Sequence, residues 1–136
     1  MLSSTHAYAI CILGVGNCEA KTEWKLVSMS ADEDTKVYID KQTVSKIGNN
    51  FIFMQLNSRE IPIKVYGTTW YSDIAKVEVD CTNNNSRDLS LTFYEKKMGK
   101  GKKYITTSIN DDWEQYMPGS VMIMVVDYFC KYGMEY

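Results

Sequence analysis

Ile74-Ala75-Lys76-Val77-Glu78-Val79-Asp80-Cys81 is the stretch on which the fold turns. Ala75, Val77, Val79 and Cys81 share one parity, and Lys76, Glu78 and Asp80 share the other. Successive side chains of a strand point to opposite faces, so this strand has one dry face and one wet face. Antiparallel sheets tolerate that asymmetry, whereas parallel sheets are covered on both sides. Cys81 falls with the apolar set and therefore points towards the core.

Downstream, Thr82 to Ser86 is a turn rich in asparagine. The next strand repeats the alternation, with Leu89, Leu91 and Phe93 against Asp88, Ser90, Thr92 and Tyr94. Lys96 to Lys103 is a second, basic turn, followed by a strand through Ile105, Thr107 and Ile109. Met117-Pro118-Gly119-Ser120 then punctuates the chain, and Val121 to Phe129 is almost wholly apolar. Periodicity alone does not separate a buried strand from a buried helix here, and the β-branched residues favour a strand. The length of the run, Ser120 as an N-cap and Gly133 as a C′ residue favour a helix.

Upstream, Glu23 to Met29 reads as a first strand and Ser30 to Thr35 as a turn. Val37 to Ile39 is a short strand ending at Asp40, which caps a turn, and polar Lys41 to Asn50 reads as a hairpin connection. Phe51 to Leu56 is a strand with Phe51 and Phe53 on one face. Asn57 to Gly67 contains Pro62 and reads as a long loop or irregular edge. The expected fold is α+β: a mainly antiparallel sheet with a C-terminal helix packed on one face. Such a helix carries Cys130 over the dry face, within reach of Cys81. A disulfide closing that loop stabilises by about 4 kcal/mol on the chain-entropy model.

Residues 7–16 are mostly apolar, too short for the roughly 20 residues that a membrane-spanning helix needs. They match the apolar stretch of an export signal, with Cys18-Glu19-Ala20 as the cleavage region, although no Lys or Arg precedes them. The alternative is a first strand of the domain. On the export reading residues 1–20 are a signal peptide and residues 21–136 one domain. Asn17 is a poor residue before a lipidated cysteine, so a lipid anchor at Cys18 is disfavoured. Of the four cysteines, Cys11 and Cys18 leave with the signal, and Cys81 and Cys130 remain to pair in an oxidising compartment. The only histidine, His6, leaves as well. Fifteen basic against 17 acidic residues argue against nucleic acid as a partner.

The densest charge cluster is Lys96, Lys97, Lys100, Lys102 and Lys103. It reads as a site for an anionic polysaccharide or an acidic protein patch, or else as a solvated hairpin tip whose lysines guard against edge aggregation. With ten tyrosines and three tryptophans, the chain has aromatic residues to spare for contacts. Trp70 and Tyr71, with Tyr66 and Tyr116, fall in or near loops and read as a contact surface or as packing. Trp24 and Trp113 are assigned to packing. Asp32-Glu33-Asp34 and Asp111-Asp112 lack the spacing of a calcium loop and read as polar turns. No nucleophile with its base, no carboxylate pair and no phosphate loop stands out, so neither catalysis nor a metal or other cofactor is expected.

Taken in order, Trp24, Val37-Tyr38-Ile39-Asp40, Ile47-Gly48-Asn49, Ser72 with Asp80-Cys81, Met98-Gly99-Lys100-Gly101, Trp113 with Met117-Pro118-Gly119-Ser120, and Cys130 resemble the bacterial surface-adhesin protein E family. The resemblance implies a small exported protein or lipoprotein of Gram-negative bacteria, with an antiparallel sheet tied to a C-terminal helix by a disulfide. It also implies adhesion to host matrix or serum proteins. The expectation is therefore an exported, non-enzymatic binding protein at the cell surface, in the periplasm or secreted, with a homo-oligomer left open. The alternatives are a periplasmic accessory domain that binds another envelope protein, and a small hydrolase or ligand carrier with a deep polar pocket.

Overall fold

Six strands, each paired to its neighbour in sequence, make one antiparallel meander in a computed structural model that describes residues 22–106 and 109–135. They are β1 (Trp24–Met29), β2 (Thr35–Ile47), β3 (Asn50–Val65), β4 (Thr68–Asp80), β5 (Asn85–Lys96) and β6 (Lys100–Ile105). A 3-10 turn, Lys97–Gly99, joins β5 to β6, and the helix α1 (Val121–Cys130) follows. The region read as a signal, with Cys11, Cys18 and His6, lies outside the described residues, as does Thr107.

The strands are longer than the hydropathy pattern suggests. Lys41 to Ile47 is not a connection but the second half of β2, and only Gly48-Asn49 forms the turn. The pairing slips between Asp40 and Ser45, where the Asp40 carboxylate accepts from the Gln42 amide at 3.0 Å and its carbonyl accepts from Thr43 Oγ1 at 2.7 Å. That bulge holds polar, exposed residues inside a strand and hides the period of two. Asn57 to Val65 is likewise strand rather than loop, with a slip between Ser58 and Ile63 around Pro62.

The sheet's front face carries the core. Val27, Val37, Ile39, Phe53, Ala75, Val77 and Val79 are buried against Val125, Val126, Tyr128 and Phe129 of the helix. Phe129 stacks on Phe53 with ring centroids 4.2 Å apart and leans on Phe51 at 5.1 Å. Ser120 caps the helix as its spacing predicts, accepting from the Ile123 amide at 3.2 Å. Ser28 Oγ donates to the Val121 carbonyl at 2.9 Å, which ties β1 to the first turn. Cys81 and Cys130, 49 residues apart, form the disulfide that links β4 to the end of the helix.

One parity expectation fails. Asp88 reads as a wet-face residue, but the register between β4 and β5 slips: Ser90 lies opposite Lys76 while Asp88 lies opposite Val77. Leu89 is the extra residue, and the slip turns Asp88 to the front face.

Candidate functional site

The two ends of the sheet differ. One holds the disulfide and the turns Gly48-Asn49 and Thr82–Asn84. The other gathers the β1–β2 turn, the far half of the β3–β4 hairpin and the basic β5–β6 turn.

The basic turn is a folded element and not a loose tip. Met98 and Gly99 both take positive φ, which bends the chain back over the sheet. Fully buried Ser72 donates to the Lys96 carbonyl and accepts from the Gly99 amide at 2.9 Å, and Ser58 Oγ accepts from the Met98 amide at 3.2 Å. A Cβ on Gly99 would meet Ile74 Cδ1 at 2.9 Å, so the turn covers Ile74 and Leu56 on the back face. Lys97 pairs with Glu60, whose carboxyl is held below its ordinary range by that hydrogen bond and charge. Lys96, Lys100, Lys102 and Lys103 are exposed.

The aromatic residues divide. Trp70 lies within β4 and is buried, with its indole N–H donating to the Val65 carbonyl at 3.4 Å. It is therefore a floor and not a contact residue. Tyr71 is half-buried in β4, beside a shallow groove with Glu60, Glu95, Lys96 and Lys97. Tyr104, which hydropathy did not single out, stacks on Trp70 at 6.2 Å and meets Tyr66 edge-on at 6.0 Å. Phe93 supports Trp70 from beneath at 6.1 Å. Tyr66, at the β3–β4 turn, is the most exposed large hydrophobic side chain among the described residues, at 85 %. Alternation along Lys102, Lys103, Tyr104 and Ile105 is the one sequence signal that marks Tyr104.

Tyr116 is half-buried, its hydroxyl 2.9 Å from Ser86 Oγ, and burial raises its pKa. Trp113 is no core residue: it is 38 % exposed and lies under the Arg87 guanidinium at 4.5 Å. The segment that carries it runs along the edge of β5, where Glu114 bridges Ser86.

Beyond the helix the front face turns polar. Asn57 donates to Asp73 at 2.9 Å, and Arg59 forms an ion pair with the same carboxylate at 2.5 Å. Burial, then the nearby Asp73 and Glu114 charges, push the Asp88 carboxyl up to about 6. The acidic turn behaves as a turn: Asp32 accepts from Ser30 Oγ at 2.6 Å, and Asp34 accepts from the Ile61 amide at 2.7 Å. Asp112 is exposed, its amide donating to Asn110 at 3.0 Å. A groove of about 710 Å³ opens beside the Asp32–Asp34 turn, lined by Leu26, Met29, Asp34, Glu60 and Ile61 among others. Among the described residues no three His, Cys, Asp or Glu side chains converge in metal-binding geometry. Among the described residues no helix is long and apolar enough to cross a membrane.

A family model described as surface-adhesin protein E matches residues 24–131. No curated protein sequence matches the chain. Solved structures of Haemophilus influenzae protein E share the fold. One crystal form superposes with a TM-score of 0.63 at 13 % identity, over 85 % of this chain and 95 % of the other. Protein E from non-typeable Haemophilus influenzae gives a TM-score of 0.61 at 14 % identity, over 87 % and 82 % of the two chains.

Proposed function

Because the chain belongs to the surface-adhesin protein E family, we propose that it is an exported adhesin-like protein that attaches to host or other extracellular proteins. The family is one of adhesins, not of enzymes, and binding here is a matter of surface presentation. What supports this most is the division of labour between the two ends of the sheet. One end is stapled by Cys81–Cys130 and packed under the helix. The other end presents exposed Ile61 and Tyr66 together with the lysines of the basic turn. A few residues carry most of the energy of protein contacts, and tyrosine is among the types enriched there.

Purified protein presented to immobilised matrix and serum proteins binds at least one of them, and Ile61→Asp weakens that binding. Protease treatment of intact cells removes the protein from the surface. Full protection in that experiment would sink the adhesin reading and favour an accessory protein inside the envelope.

A further inference from the structure

Tyr66 occupies a backbone position that other residues fill with less strain. Val65 and Thr68 pair across a two-residue turn, and Tyr66 and Gly67 both take positive φ, 53° and 75°. Turns of this kind favour Asn-Gly or Asp-Gly, because a tyrosine Cβ is crowded in the left-handed region. The ring recovers little by packing, since the residue is 85 % exposed. Strain held at an exposed position is a reason to look for a ligand there.

The surroundings say which ligand. Tyr66 and Tyr104 form a two-ring step with centroids 6.0 Å apart, seated on buried Trp70. Lys102 shares the Tyr104 face of β6, while Lys103 and Lys64 alternate to the other face and reach the rings round the β6 edge and the β3–β4 turn. All three lysines are exposed, and none is in an ion pair with a described residue. Of the acids beside the basic turn, Glu60 is taken by Lys97, and Glu95 Oε1 lies 3.2 Å from where a Cβ on Gly101 would stand. We propose that Tyr66, Tyr104, Lys64, Lys102 and Lys103 form a binding site for an anionic polysaccharide. The tyrosine rings stack on the C–H faces of successive sugars, and the ammonium groups pair with their sulfates or carboxylates. A lipid surface fits less well, because the turn continues as Gly67-Thr68-Thr69, too polar for an apolar wedge. The site shares Tyr66 and the basic-turn lysines with the surface proposed above for attachment to proteins, but its argument does not rest on that attachment.

Immobilised heparin, a sulfated probe, tests the site with the whole protein. Retention is expected at about 0.15 M NaCl, with release as salt rises. K102E/K103E should weaken retention about tenfold, and Tyr66→Asn several-fold while leaving the fold intact or firmer. Lys76→Glu, an exposed lysine in mid-sheet, serves as the control and should change nothing. Three outcomes overturn the proposal. The first is no retention, and the second is retention lost with the lysines but untouched by Tyr66→Asn, which marks a plain ion exchanger. The third is equal, Tyr66-dependent binding to phosphatidylglycerol vesicles, which marks a lipid site.

Discussion

At the scale of single residues, Asp88 and Tyr66 sit in surroundings that cost stability, whereas Gly99 holds a conformation that suits only glycine. Asp88 is part-buried on the front face with its pKa raised from 3.8 to about 6. Between those values the folded chain holds a proton that the unfolded chain has released, so stability falls as pH rises through this window. Asp88→Asn is therefore expected to stabilise by about 1 kcal/mol near pH 8, a figure scaled down for partial exposure, and to change little near pH 4. Urea midpoints at the two pH values check this, and equal shifts at both would exclude the assigned charge effect. Tyr66→Asn relieves a left-handed tyrosine and should raise stability by about 1 kcal/mol in the same assay. Gly99→Ala goes the other way. Both its φ of +69° and the 2.9 Å approach to Ile74 resist a Cβ, and a loss of about 2 kcal/mol is expected.

At the scale of elements, Ser72 joins β4 to the basic turn through two hydrogen bonds from a fully buried hydroxyl. Ser72→Ala should cost about 1–3 kcal/mol and raise hydrogen exchange at Met98 and Gly99 before the rest of the sheet. Unchanged protection in the turn would mean that Ile74 and Leu56 alone hold it. The Ile74–Asp80 part of β4 was legible from its unbroken period, and the helix from its length and caps. β1 was legible despite a slip in its pairing between Leu26 and Ser28, whereas the bulged halves of β2 and β3 were not. Lys41 to Ile47 and Asn57 to Val65 are polar or proline-bearing yet remain strand, because a slip in register absorbs the residues that break the pattern. Leu89 does the same on a smaller scale and carries Asp88 to the other face. Of the surface, the lysine cluster was legible as charge. The pairing of Tyr66 with Tyr104 was not, since it depends on how far the β3–β4 hairpin reaches across the sheet.

At the scale of the whole molecule, the staple and the candidate binding surface lie at opposite ends. Replacing Cys81 and Cys130 by serine should cost about 2–4 kcal/mol in a urea titration while leaving heparin retention unchanged in the absence of denaturant. A matching loss of retention would mean that the two ends are coupled. The order of the strands has a further consequence, for how the molecule is made. Every strand pairs with its chain neighbour, so each hairpin closes over a short loop, and a chain growing from its N-terminus can add strands one at a time. The helix is the exception, since its partners begin with β1 and its docking waits for almost the whole chain. Cys81 meets Cys130 only at that last step. Oxidation thus locks a sheet that has already assembled, and the bridge records completed folding instead of guiding it.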